Sequence, residues 1–370
     1  MEFALGPLFQ SGESLEEKLR PVSDFAPTPA DENGFCHINC RKAPFALGGI
    51  TDPKENGGEY YRLDVTKKET YSEAVRQLAK CTSGGSIRFA TDADEIYLTV
   101  ILREPVLGMP HFCDRGVFGV DTYVGTGSDR KYVGVQMQFF ANNPEKNEGV
   151  LKLPKGVKEV LIHLPLYSGI HDVTVGFKPT DRVGAPTKRT HKPIAVYGSS
   201  ITQGGCVSRP ANAFVNLLAR AVDADCRGFG FSGSALGERK VAQYIASCEL
   251  SCFIMDYDYN SPSAEHLKAT HEPFFKVIRE AQPDLPVIFV THPFYADPTE
   301  DDERRIAVVR ETYEKAKAAG DENVYFVDSH DFFTPEYRDL YAVDFLHPND
   351  LGQFSMAQTI YPALKKALGE

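Results

Sequence analysis

From Ile194 to Val327 the chain alternates short apolar runs with longer stretches of helical spacing, and that alternation narrows the folds open to it more than any other feature. Strand candidates fall at 193–197, 225–229, 252–257, 286–291 and 323–328. Between them, apolar residues recur three and four apart, as in Ile306, Val309, Tyr313 and Ala316 with Gly320 as a stop, and a further helical stretch runs from Ala211 to Val222. Such alternation implies right-handed βαβ crossovers and a parallel sheet covered on both faces. Ligands of such sheets bind at the carboxyl ends of the strands.

A different regime precedes it. From about Glu59 to Phe177 the pattern is short, β-rich and turn-separated, with strand candidates at 60–65, 86–89, 96–101, 117–121, 133–139, 157–164 and 173–177 and one helical interruption at Ser72 to Ala79. This spacing predicts a β-sandwich or jelly roll. The segment Lys178 to His191, rich in Pro, Gly, Thr and Lys, has no periodicity and reads as a linker. The expected organisation is an all-β domain over 1–185 followed by an α/β domain over 186–370, and 370 residues suffice for two cores.

Two segments carry chemistry. Gly198-Ser199-Ser200-Ile201-Thr202-Gln203-Gly204 follows the first strand of the α/β part, and Asp344-Phe345-Leu346-His347-Pro348 lies near the C-terminus. A serine hydroxyl is a weak nucleophile until a base takes its proton, and the base needs a carboxylate to hold its tautomer and stabilise the imidazolium. Asp344, three residues before His347, can bond one ring nitrogen while the other faces Ser200.

These residues resemble the GDSL, or SGNH, hydrolase family, whose first block is a strand followed by Gly-Asp-Ser and whose last is Asp-x-x-His-Pro. Phe229-Gly230-Phe231-Ser232-Gly233-Ser234 is similar to the second block and Phe253 to Asn260 to the third. The resemblance, which covers roughly residues 190 to 370, implies an α/β, flavodoxin-like domain with a five-stranded parallel sheet. It also implies Ser200 as nucleophile, His347 as general acid and base, Asp344 as its orienter, and an oxyanion hole from the Ser200 and Gly233 N–H groups and the Asn260 amide. Ser199 replaces the Asp of the first block, Gly228 stands where the second often has Asn, and Asp258 and Ser261 replace the residues flanking the third-block Asn. Position relative to Ile201-Thr202 and Gly204 sets the nucleophile at Ser200 rather than Ser199.

A formal G-x-G-x-x-G, Gly228 to Gly233, with Asp256 near the end of the next strand, competes as a dinucleotide fingerprint. It is not in the first βα unit, and the esterase reading uses the same glycines and explains two further segments. Taken singly, Ser200 could be a helix cap and His347 the entry to the last helix; taken together those alternatives explain little. His292 is a competing base without a carboxylate three residues before it, and reads as structural or substrate-facing; His163, His271 and His330 read as packed or exposed. Tyr257, Tyr259, Phe294 and Tyr295 flank strand ends, as pocket lining or as core.

A β-sandwich before such a hydrolase resembles carbohydrate acetylesterases, which implies removal of a short acyl group, acetyl first, from a saccharide, with no metal or organic cofactor. Alternatives are a lipid or aryl acylhydrolase of the same family, or a carbohydrate-binding protein with an inactive hydrolase-like domain. A formal charge of −11 argues against nucleic acid and anionic membrane surfaces as partners. No run approaches the roughly 20 apolar residues of a membrane span, no apolar lid is evident, and Met1 to Pro7 shows no secretory signal, so a cytoplasmic protein is expected. The eight cysteines, including the Cys36/Cys40 and Cys248/Cys252 pairs without partners for zinc, read as reduced, mostly buried thiols. Sequence leaves the oligomeric state open.

Overall fold

The five apolar runs of the C-terminal half form parallel strands, β1 (Ile194–Gly198), β2 (Cys226–Gly230), β3 (Cys252–Asp256), β4 (Val287–Val290) and β5 (Val324–Val327). Alternate residues enter different cores. Val196, Ile254 and Ile288 share a cluster with Phe214, Leu218, Met356 and Ile360, whereas Tyr197, Phe253, Met255 and Phe289 pack with Val241, Ile245, Phe274 and Val309. A strand that buries both faces must be apolar throughout, which is why these runs stand out in the sequence. Helices Phe214–Ala221 and Asp350–Ala367 pair on one face; Arg239–Ala246, Ala264–Ala281 and Glu300–Ala318 pack in series on the other. The order β2-β1-β3-β4-β5 is flavodoxin-like, with its topological switch point between β1 and β3.

The computed structural model describes residues 14–54, 56–64, 70–103, 109–126, 129–137 and 145–370. The stretch read for a secretory signal lies outside these residues, as do Val65, Gln138 and Phe139 of two strand candidates. No helix among the described residues is long and apolar enough to cross a membrane.

The N-terminal half is built from two antiparallel sheets. One has Cys36–Asn39, Gly169–Phe177, Glu95–Arg103 and Lys146–Lys152 in that order; the other centres on Ser86–Thr91, Lys158–His163 and Val120–Thr126. Glu95–Arg103 alternates strictly between buried and half-buried residues, as one exposed face requires. Ser86–Thr91 and Lys158–His163 are buried throughout, because the far face of their sheet lies against the α/β half. There Arg88 pairs with Asp225 at 3.6 Å, Arg209 with Asp121 at 2.7 Å, and Tyr123 and Leu161 meet Ala211.

Four differences from the sequence expectation have physical causes. Residues Tyr60 to Asp64 are a loop rather than a strand; Tyr60 and Leu63 are fully buried, but so is Arg62 between them. Val117 ends a short helix, Asp114–Val117, and the strand begins at Val120. The linker contains a strand, Arg182–Gly184, too short to show a period, which pairs with Ser86–Thr91. Lys146–Lys152 is a strand the sequence did not mark, a charged sheet edge of the kind that blocks edge-to-edge association.

Candidate active site

The loop after β1 turns at once into a four-residue helix, Ser200–Gln203. Ser199 is its cap, the hydroxyl accepting from Ile201 N at 3.1 Å, so of two adjacent serines one serves the backbone. The other, Ser200, is buried, with Oγ 3.0 Å from His347 Nε2. The helix can sit this close to the sheet because β1 and β2 end in glycines. A Cβ at Gly198 would lie 2.1 Å from Thr202 Oγ1, and one at Gly230 2.2 Å from Gln203 N.

His347 and Asp344 lie in the turn before the last helix, closed by Val343 N donating to His347 O at 3.0 Å and Asn349 N to Tyr341 O at 2.9 Å. Asp344 Oδ1 accepts from the backbone N–H groups of Leu346 (2.8 Å) and His347 (2.6 Å), and Oδ2 lies 3.0 Å from His347 Nδ1. Burial acts to raise the Asp344 pKa, but the hydrogen bonds from the His347 ring and the two N–H groups outweigh it and hold the carboxyl below its usual range. Asp344 is therefore ionised at neutral pH, which fixes the proton on Nδ1 and leaves the Nε2 lone pair towards Ser200.

Gln203 and Gln353, both fully buried, align the loops; Gln203 stands in the first block but had no role assigned from the sequence, and Gln353 was not marked at all. Gln353 accepts from Phe214 N at 2.7 Å and donates to Ile201 O at 3.2 Å, joining the last helix to the serine loop. Gln203 donates to Leu166 O at 3.2 Å and accepts from Ser232 N at 3.0 Å, joining it to the turn after β2. That turn holds Gly233 at a φ of +65° with open space where a Cβ would stand, so conformation rather than crowding demands the glycine. Gly228, by contrast, lies within β2, where a Cβ would stand 2.8 Å from the Ser83 carbonyl oxygen, so two of the three glycines of the formal dinucleotide motif are strand positions that pack closely. Asn260 closes the short helical turn Asp258–Asn260 after β3, and its Oδ1 accepts from Ala235 N at 3.3 Å. Among the described residues none accepts from the side-chain N–H groups of Asn260. Gly233 and Asn260 thus lie on the turns that follow β2 and β3, flanking the β1 loop.

His292 sits behind the Asn260 turn rather than beside Ser200. Its Nδ1 is 2.8 Å from Asp258 Oδ2 and its Nε2 3.0 Å from Asp302 Oδ1, while both His292 and Asp258 are almost completely buried. Burial alone would lower the His292 pKa; Asp258 and Asp302 outweigh it and raise it from 6.5 to about 9. With both nitrogens engaged it is a charged strut. A group whose pKa is raised on folding contributes stability in full below 6.5 and loses it as the pH climbs through about 9. We expect His292→Phe to cost on the order of 2–3 kcal/mol at pH 6, and the gap in Tm from the native protein to narrow steadily towards pH 9. A gap independent of pH would mean that the ring acts by packing alone.

Of the remaining histidines, His271 is buried against Thr312 Oγ1 at 2.8 Å, His330 is at the surface with Asp328 and Glu303, and His163 is buried in its strand. Tyr257 is core, its ring tilted against those of Tyr197 and Phe274. Tyr259 packs on His292, Phe294 on His330 and Tyr295 on Phe333. The buried Tyr295 hydroxyl has no hydrogen-bond partner among the described residues, and its electrostatic neighbours include Asp344 and Cys206.

The N-terminal half also reaches the site. Tyr167 donates to Ser200 O at 3.0 Å, Phe112 lies 4.5 Å from the Tyr167 ring and 5.9 Å from that of His347, and His111 lies 5.3 Å from His347. No motif surrounds these residues, so only the fold reveals them. A second surprise is apolar. Tyr337, Leu340, Val343, Phe345 and Leu351, in and around the turn that carries Asp344 and His347, are exposed, Phe345 by 84%.

Residues 191–365 match the GDSL-like lipase/acylhydrolase family, and residues 36–183 match the N-terminus of an SGNH hydrolase-type esterase. No curated protein matches the chain. Among solved structures, one from Bacteroides ovatus described as a GDSL-like lipase is 25% identical with a TM-score of 0.80, over 90% of this chain and 98% of the other. A salicylyl-acyltransferase from a tetracycline biosynthetic pathway is 18% identical with a TM-score of 0.74, over 92% and 99%. A family two carbohydrate esterase from Clostridium thermocellum in complex with cellohexaose is 14% identical with a TM-score of 0.57, over 88% and 99%. At these last two identities the likeness is one of fold.

Proposed function

Because residues 191–365 belong to the GDSL-like lipase/acylhydrolase family, we propose that the chain is a serine esterase that removes a short acyl group, acetyl first, from a carbohydrate. The observation that carries the reading is the relay of Ser200 Oγ, His347 and Asp344, with both links at 3.0 Å. His347 takes the hydroxyl proton as Ser200 attacks the ester carbonyl, and then gives it to the departing alcohol. Water hydrolyses the acyl-enzyme by the same relay in reverse. The N–H groups of Ser200 and Gly233 and the Asn260 amide hold the oxyanion; an Asn260 Oδ1 engaged by Ala235 N supports that role, since the donor end is left for substrate.

The short acyl group is supported by the burial of Ser200 and by Phe112 and Tyr167, which close the niche from the N-terminal side. The carbohydrate is supported by the two-domain arrangement, shared with the carbohydrate esterase bound to cellohexaose. The exposed apolar residues around Asp344 favour a second reading, an ester whose leaving group or acyl chain is itself apolar.

Initial rates on p-nitrophenyl acetate and octanoate, and acetate release from acetylated oligosaccharides, separate the two. A closed acyl niche predicts acetate over octanoate by about tenfold or more in kcat/KM, with acetate released from the saccharide. Preference for octanoate would discard the short-acyl reading in favour of the apolar one.

A further inference from the structure

The serine loop ends at Gly204 and the chain then passes Cys206 with a φ of +68°, a left-handed backbone that non-glycine residues seldom adopt. The turn buries this thiol beside the relay. One donor atom each from His111, Cys206 and His347 lie within 4.8 Å of one another. Only His347 has a part in the hydrolysis proposed above. A small buried thiol filling space would account for the burial of Cys206, yet not for two imidazoles converging on it from opposite halves of the chain.

Two imidazoles and a thiol are a donor set suited to zinc and its neighbours, and three such ligands leave a fourth position for water. The surroundings are also those of a metal ligand. Asp344 bonds His347 Nδ1, the carboxylate–imidazole pairing that commonly stands behind a ligating histidine, and it leaves Nε2 as the coordinating nitrogen. Tetrahedral bonds of about 2.0–2.3 Å bring donors to roughly 3.5 Å apart, a closure of about an ångström that the half-buried His111 can supply from its loop.

We propose that His111, Cys206 and His347 bind a thiophilic divalent cation of the zinc type, and that the bound ion switches hydrolysis off. On binding, the Cys206 thiol releases its proton to solvent and three coordinate bonds form without change of oxidation state. His347 Nε2, engaged by the ion, no longer accepts the Ser200 proton. The switch rests on His347 being the base; the binding does not.

The test uses the full chain, freed of metal with a chelator and titrated with Co²⁺ alone. The expected result is a saturable thiolate-to-cobalt charge-transfer band at one ion per chain, displaced by Zn²⁺ and absent in Cys206→Ser. His111→Ala, the second variant, should weaken binding about 10- to 100-fold or more, and its own metal-free turnover is the baseline against which its inhibition by Zn²⁺ is read. Saturating Zn²⁺ should depress p-nitrophenyl acetate hydrolysis of the native protein about tenfold or more, reversibly with chelator, and spare both variants at the same concentration. No band in the native protein, or the same band in folded Cys206→Ser, overturns the site; a band with undiminished turnover overturns the switch. If the metal-free protein hydrolyses no ester at all, the esterase reading has failed, and the cobalt band alone upholds or overturns the metal site.

Discussion

Ser200→Ala is expected to lose about a thousandfold or more of kcat on p-nitrophenyl acetate while folding normally. In the mechanism proposed above the hydroxyl forms the acyl-enzyme, and its side-chain partner is His347 Nε2, so removing it should end covalent catalysis at little structural cost. The neighbouring serine supplies the control. Ser199 Oγ caps the helix through Ile201 N, so Ser199→Ala should cost about 1 kcal/mol of stability and spare most of the turnover. Asp344→Asn keeps the shape of the turn but cannot hold the Nδ1 proton as a carboxylate does, and should fall by about 10⁴. Steady-state kinetics on the three variants, each checked by thermal denaturation, separates the alternatives: equal loss in Ser199→Ala and Ser200→Ala would mean that the loop as a whole had been disturbed. Full activity in Ser200→Ala would sink the nucleophile assignment.

How much of this was legible in the chain depended on whether the determinants were local. The five strands of the parallel sheet could be read because both faces of each are buried, so hydrophobicity and strand coincide. Asp344 and His347 could be paired because one turn closes over three residues. Where the partner is remote in sequence, reading fails. His292, without a carboxylate three residues before it, reads as structural or substrate-facing, but the partners that make it a strut, Asp258 and Asp302, reach it from the turn after β3 and from the start of a helix. Phe112, His111 and Tyr167 gave no signal at all, because their contact with the site arises from docking one half of the chain on the other. The run Tyr60 to Asp64 misled for a related reason: it resembled a strand, but Arg62 is buried with its neighbours because two of its partners lie in the distant β2.

Arg62→Met should cost about 3–5 kcal/mol, the largest loss of stability we expect from a single side chain. Its guanidinium is fully buried with no carboxylate in contact among the described residues, donating instead to backbone carbonyls: Cys81 at 2.8 Å, Leu78 at 2.5 Å, and Gly228 and Gly230 at 2.7 Å each. Burial lowers its pKa to about 10, which leaves it charged at neutral pH. β2 is the edge of the parallel sheet, and carbonyls two residues apart point the same way; Gly228 and Gly230 present theirs outward, where a sixth strand would otherwise be needed. Arg62 takes the place of that strand. It also lies over Phe231, the first residue of the turn that carries Gly233, at 5.0 Å from the ring centroid. Methionine keeps most of the volume but takes the guanidinium donors from four buried carbonyls, of which Leu78 O keeps the Cys81 N–H at 3.1 Å, and Arg62→Lys restores the charge without the planar fork that reaches all four. In urea the midpoint should therefore fall strongly for Met and by less for Lys, and p-nitrophenyl acetate turnover should drop with it below the transition, as the Gly233 turn loosens. A change under about 1 kcal/mol in Arg62→Met would mean that water enters and satisfies the sheet edge, and the arginine would then be a spacer between the two halves rather than one of the groups that join them.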